Sequence, residues 1–331
     1  MTQQDSRFNP MIENAFREGY RAFHSCIRFY GAFHVGFISF LCMQLLSFLL
    51  FFSYFSQSLA AACGLALFFL TLFSYFVLLF FFQAKKPEQF LTIRSRFSQT
   101  CQAILPFTKE DPEFLLSLSR SLDEFALFLS QKEIVFYSSN HSIKALNPLI
   151  QKFKIWLYWK NFHQMKELLF LQSSELLVLL VKQLPTDLGV HAALAEVYTK
   201  LCKLYVHPKK INQASSLPWI SPDYLGIPMK EQFLFYSKKA IEECTILENL
   251  APKDPWVLAH LAEIYRLQEK AEEEIRQCEQ LLELTPDNTE LLFQLGVLYF
   301  QEGHSAKGLK IYELLQKEPS NKASQLIQHY S

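Results

Sequence analysis

Side-chain chemistry needs a nucleophile beside a base, a cluster of metal ligands, or a glycine-rich turn that can cradle phosphate. The nine histidines of this 331-residue chain are scattered, and no H-E-x-x-H, G-x-S-x-G or phosphate-loop pattern occurs. With only nine glycines, few remain to build a dinucleotide turn. Cys26, Cys42, Cys63, Cys101, Cys202, Cys244 and Cys278 form no C-x-x-C pair. An odd, unpaired set in a chain this long reads as small buried hydrophobes in a reducing compartment, not as a disulfide framework. His191 and His260 fall at nearly equivalent places in two copies of a repeated pattern, which accounts for them without catalysis. The expectation is a chain with no enzymatic activity, no cofactor, no metal and no small-molecule substrate.

With chemistry set aside, the elements come forward. The formal net charge of zero averages over unlike segments. Residues 229–331 carry eleven basic and seventeen acidic groups, so there is no basic stripe for a nucleic-acid backbone. Residues 29–84 are 56 positions without Lys, Arg, Asp or Glu, crowded with Phe and Leu. As one helix that run would be about 84 Å long, whereas a bilayer core of about 30 Å is crossed by about 20 residues. Two crossings are therefore expected, at 35–55 and 59–82, divided at the polar Ser56-Gln57-Ser58. Gln44 should hydrogen-bond between the two helices, and Thr71 and Ser74 should return their hydroxyls to their own helix. Cys63, Gly64 and Ala60 to Ala62 give the second helix a slim start.

Orientation follows from the flanks. Arg17, Arg21 and Arg28 precede the hairpin, Lys85, Lys86, Arg94 and Arg96 follow it, and the turn is uncharged. The positive-inside rule then puts both termini, beginning with a short segment 1–34, on the cytoplasmic side; the membrane expected is a bacterial inner membrane.

From Pro87 to Leu184 the pattern is helical, a domain of its own or degenerate repeats. Asp111 is the expected N-cap of a helix whose Phe114, Leu115, Leu118, Leu122, Phe125 and Leu129 share one face. The stretch KFKIWLYWKNF, 152–162, is either an interfacial helix pressing on the membrane or an amphipathic helix docked on its neighbours. A further buried helix is expected over 165–184.

The most informative pattern is repetition. PTDLGVHAALAEVY from Pro185, PKDPWVLAHLAEIY from Pro252 and PDNTELLFQLGVLY from Pro286 each place a tyrosine thirteen residues after the proline: Tyr198, Tyr265 and Tyr299. Leu194-Ala195, Leu261-Ala262 and Leu295-Gly296 stay in step, and Pro252 to Pro286 is 34 residues. The small residue lets a partner helix approach while Leu and Tyr fill the seam. In the returning helix of the last copy, Gly308, Tyr312 and Leu315 are three or four apart, after a joint at Gly303. One such pair cannot bury its apolar side alone, so pairs must stack.

The pattern resembles the tetratricopeptide repeat (TPR) family over 185–319. Glu274 departs from it, standing where a small residue is usual. Four prolines and a glycine mark 207–228 as an insertion, and Ala323, Leu326, Ile327 and Tyr330 suit a capping helix over 320–331. The resemblance implies a TPR-like α-solenoid, which with the transmembrane helical hairpin (35–82) and the helical domain (87–184) makes the expected architecture all-α. It also implies a concave groove that binds other proteins or peptides, lined by Trp256, Glu263, Arg266, Glu290, Phe293, Val297 and Phe300. That wall lacks the paired basic residues that would clamp an acidic peptide terminus. The hairpin itself resembles the bilobed inclusion-membrane proteins of chlamydia-like bacteria, which implies a host vacuole membrane as the alternative location. The leading expectation is a membrane-anchored scaffold that recruits other proteins. An integral subunit of a membrane assembly is a further alternative.

Overall fold

The computed structural model describes residues 5–55, 59–108, 111–138, 147–206, 226–317 and 321–330, and every regular element among them is helical. The described residues divide into two compact units, one up to Ser173 and one from Ser174 onward.

In the first unit, α1 spans Asp5–Phe55 and α2 spans Leu59–Ile104. At about 1.5 Å per residue these are rods of roughly 77 and 69 Å, more than twice a bilayer core. The two expected crossings are therefore halves of longer helices. Residues 5–34, expected as a separate segment, are helical because an apolar stripe continues through them: Ala15, Phe23, Ile27 and Tyr30 are buried. Likewise α2 passes through Pro87 without ending. One lost backbone hydrogen bond is tolerated where Phe90, Phe97 and Cys101 beyond it are packed in a core. Helix ends at Phe55 and Leu59 flank the expected division, and 56–58 lie outside the described residues.

α3 (Pro112–Ser138) and α4 (Asn147–Gln183) complete this unit, which takes in α4 up to Ser173. On α3 the expected stripe is inside, with Phe114, Leu118, Leu122, Phe125 and Leu129 buried. Asp111 stands immediately before the helix, and its backbone carbonyl accepts from the Phe114 amide at 3.0 Å. Its carboxylate turns back to accept from the Thr108 amide (3.1 Å) and hydroxyl (2.7 Å). α4 is one helix where two were expected.

The core is built from phenylalanine. Phe97 stacks on Phe125 at 4.4 Å and Phe16 on Phe125 at 5.8 Å, while Phe23 meets Phe90 and Phe162. Below this core, toward residue 55 on α1 and residue 59 on α2, the same helices present apolar side chains outward. Leu50 is 70% exposed, Phe73 67% and Phe80 68%. Both helices are long and apolar enough to cross a membrane, with none of the apolar window buried. Within this stretch Gln44 donates to Thr71 Oγ1 at 3.2 Å, and Thr71 and Ser74 return their hydroxyls to Leu67 and Leu70. A Cβ on Gly64 would sit 3.6 Å from the Phe48 ring, an ordinary contact, so the approach of the helices does not require a glycine there.

The second unit stacks antiparallel helix pairs: α5 (Leu188–Tyr205) with α6 (Ile227–Leu250), α7 (Pro255–Leu267) with α8 (Ala271–Leu284), and α9 (Thr289–Gln301) with α10 (Ser305–Gln316). Most of the expected insertion lies outside the described residues. Its end is helical, since α6 starts at Ile227 with Pro228 in the first turn, where a missing N–H costs nothing. A short α11 (Lys322–Leu326) and a 3₁₀ turn (Ile327–His329) close the unit. Ala323 and Leu326 are buried as a cap requires, but Ile327 and Tyr330 are exposed, because the helix tightens before reaching them.

Candidate functional site

Each first helix of a pair starts from the same device. Asp187 accepts a hydrogen bond from the Val190 amide, Asp254 from Trp256, and Asn288 from both Glu290 and Leu291, at 2.8–3.2 Å. All three stand two residues after the repeat proline, a spacing visible in the sequence but not used above. Such caps are each worth about 1 kcal/mol and fix where the helix begins, hence which residues face the groove.

Behind that wall the Leu-small pairs are all buried, as is Tyr299. Tyr299 donates to Glu279 at 2.5 Å, and Lys307 binds the same carboxylate at 2.9 Å, so three helices meet on one acid. Those bonds hold the Glu279 carboxyl below its ordinary range. Two glycines are required by packing. A Cβ on Gly308 would be driven into the Phe300 ring, and one on Gly296 would lie 2.7 Å from Leu326. Gly303 has φ +76°, which lets the His304 amide reach back to the Tyr299 carbonyl at 2.7 Å.

The seven expected groove residues divide into two groups. On α7, Trp256 is half-buried and stacked on His260 with centroids 3.8 Å apart. Burial lowers the His260 pKa, against the pull of Glu263 and Glu196, so the imidazole under the indole is neutral at pH 7. Glu263 takes Lys203 of α5 at 2.8 Å and Arg266 at 3.7 Å, tying two first helices together. Arg266 is exposed. These three share the face that α5 and α7 present.

On α9 the picture differs. Phe300, expected as an apolar anchor, is buried in the niche left by Gly308 and touched edge-on by Tyr330. Its ring belongs to the core. Phe293 and Val297 are half-buried and packed on the same core, with His329 edge-on to Phe293. Glu290 binds Lys322 of α11 at 2.8 Å. Of the seven, Phe300 is enclosed, Trp256, Glu263, Phe293 and Val297 are half-buried, and Arg266 and Glu290 are exposed.

Two features were not foreseen. Leu234 and Phe235 are exposed on α6, where Leu234, Ile241, Ile246 and Gln268 border a shallow cleft. No single helical stripe in α6 announces it. His191 is buried between Glu243 (2.7 Å) and the Pro185 carbonyl (3.0 Å). Burial alone would lower its pKa, but these bonds and the Glu243 and Asp187 charges outweigh it and raise it. Its role is to tie α5 to α6.

Among the described residues no group of three or more His, Cys, Asp or Glu side chains is placed to hold a metal ion. Burial pushes the thiols of Cys101, Cys202 and Cys244 up to about 12 and that of Cys278 to about 11, the opposite of an activated nucleophile. The chain carries no catalytic motif.

No family model and no curated protein sequence matches the chain. Among solved structures, TTC0263, a thermophilic TPR protein of Thermus thermophilus, aligns at 17% identity and a TM-score of 0.35, covering 72% of this chain and 91% of that one. The assembly chaperone of RpL4, Acl4 (residues 1–338), aligns at 14% and 0.28, covering 74% and 95%. The TPR2AB domain of yeast Sti1, from its pHSP90 complex, aligns at 14% and 0.25, covering 74% and 94%. Scores this low carry no weight. The class rests on the packing itself: an all-α protein whose second unit is a TPR-like stack of helix pairs.

Proposed function

We propose that this chain is a membrane-anchored helical-repeat protein that gathers other proteins. Residues 35–82 form a hairpin through the bilayer, and partner proteins or peptides engage the repeat groove, chiefly the α7 face of Trp256, Glu263 and Arg266. The observation that carries this reading is the change of exposure along α1 and α2. The same helices that bury Phe23 and Phe90 turn Leu50, Phe73 and Phe80 outward with no charged residue among them. Water does not solvate such a surface well; lipid does.

Basic flanks and an uncharged turn support both termini on the cytoplasmic side of a bacterial inner membrane. Neither the geometry nor the comparisons favour the inclusion membrane, and the plainer location is kept. Trp256 and Arg266 are residue types that supply most of the energy in protein interfaces, and residues 229–331, with seventeen acidic against eleven basic groups, suit a protein partner better than a nucleic-acid backbone.

The anchoring half is tested by alkaline extraction and by protease protection of tags at the two ends. Retention in the membrane, with both tags digested on one side, is expected. Release into the aqueous wash, or tags on opposite sides, overturns it. The groove half is tested by photo-crosslinking from position 266 in native membranes. A discrete partner band is expected, and it should be lost in a folded Trp256→Ala variant. A band unchanged by that substitution moves the site elsewhere.

A further inference from the structure

The first unit holds a register that reaches beyond its core. Gln172 of α4 donates to Ser98 of α2, and Lys86 of α2 donates to Asn161 of α4, at sequence separations of 74 and 75. A constant separation means that α2 and α4 run parallel and level. α1 agrees, because Gly31 abuts the Tyr158 hydroxyl and Phe23 meets both Phe90 and Phe162. α3 comes down to the same level, with Phe136 against Tyr158 at 5.1 Å.

α4 does not stop there. It starts eleven residues before Tyr158, at Asn147, so it reaches about 16 Å further along the direction of the apolar spans. In the α2 register its first turns stand level with residues 72–82, inside the stretch expected to cross the bilayer. The side chains there suit that depth. Leu149 is 63% exposed, Phe153 47% and Trp156 51%, and at the end of α3 Ile134 is 69% exposed and Val135 63%. Ile155 faces the other way and is buried. The sequence alone left α4 a choice between docking and lying on the membrane; the helix docks with one face and leaves the other bare.

We propose that the end of α3 and the start of α4 are immersed in the membrane interface, in contact with anionic headgroups and the upper acyl chains, as a third membrane contact beside the hairpin. This rests on the hairpin reading of 35–82. Lipid fits better than protein for two reasons. The patch is continuous in level with the spans, so a bilayer around them meets it. Between Glu133 and Glu167 there is no acidic residue; of the five lysines, Lys166 is paired with Glu133, while Lys152 and Lys160 are exposed. Arg28, Lys85 and Lys86 stand near the same level on α1 and α2. Lysines flanking aromatics can hold their ammonium heads among phosphates while the rings sink below them. A second copy seated on this face would set lysine against lysine.

The test uses the full chain in vesicles of equimolar phosphatidylcholine and phosphatidylglycerol. Trp159, Trp219 and Trp256 are replaced by Phe, leaving Trp156 as the only indole, and helix content is checked by circular dichroism. Lipids brominated near the head of the acyl chain should remove most of the Trp156 emission, and lipids brominated near its end clearly less. A chain with Trp256 alone should keep its emission with both. In a tryptophan-free background, Leu46→Trp reports the span, quenched most by the deep label. If Leu46→Trp is quenched and Trp156 is not, the interfacial contact is overturned while the hairpin stands. If neither is quenched, the hairpin reading fails and takes the proposal with it. Trp156 shielded from both bromolipid and aqueous acrylamide would mean that protein covers the patch, which also overturns it.

Discussion

The two units solve helix packing with different materials. In 1–173 the seams are filled by phenylalanine rings stacked across four long helices, and the same helices carry a wide apolar surface outward. In 174–331 the first helix of each pair is set by an Asp or Asn cap, and the helices are brought close by Ala and Gly and cross-tied by polar bonds such as Tyr299–Glu279 and His191–Glu243. The contrast teaches what each unit's surroundings demand. Apolar bulk on every face would be stable where lipid covers part of it, as proposed for 35–82, whereas a stack that keeps most of its large apolar groups in the seams can fix its geometry with hydrogen bonds.

Four substitutions break or sharpen that comparison. The largest effect is expected in the ring-packed unit: Phe125→Ala should cost about 3–5 kcal/mol, since the ring is fully buried between Phe97 and Phe16. Hydrogen exchange should rise across α1 to α4. Unchanged protection there would show that the stacked rings are not what holds the unit.

Next is Glu274, buried on α8, with its carboxyl pushed up to about 7 by burial, against the pull of Arg266. Below the ordinary carboxylate range folded and unfolded chains are both protonated and nothing is lost. As pH rises from the ordinary carboxylate range to about 7 the folded state is increasingly penalised, because the unfolded chain releases a proton that the folded one keeps, and above about 7 the penalty is complete. Glu274→Ala should therefore stabilise by as much as about 3 kcal/mol above neutral pH, and far less in acid. Denaturant melts at the two pH values check the sign.

Gly308→Ala comes third. The new methyl meets the Phe300 ring at less than 3 Å, and overpacking of this kind costs about 1–3 kcal/mol. If the melting temperature does not fall, Phe300 is free to swing outward, and the groove would regain the anchor that packing takes from it. The smallest effect is at Lys253, a non-glycine residue at φ 62°. Lys253→Gly should relieve about 1 kcal/mol of left-handed strain and raise the melting temperature slightly.

Much of this was legible in the residues. Uncharged length announced the apolar helices, and three prolines with a tyrosine at fixed distance announced the helix pairs. Helix extent was not legible, because Pro87 and the charged residues of 5–34 look like boundaries until the buried stripe through Ala15, Phe23 and Ile27 is seen. Among the seven residues expected along the groove, the sequence misled at Phe300, which is buried. Periodicity gives a side chain's direction, but only the missing side chain of Gly308 and the reach of residues 322–330 decide that Phe300 is enclosed.

The unbroken course of α1 has a mechanical meaning. Leu50 and Phe23 ride on one stiff shaft with no joint between them. If lipid surrounds the first, a thinner or thicker bilayer that tilts the shaft must also lever the phenylalanine stack around the second. Bilayer thickness would then join temperature and acidity among the variables that set how firmly the aqueous half of this unit holds together.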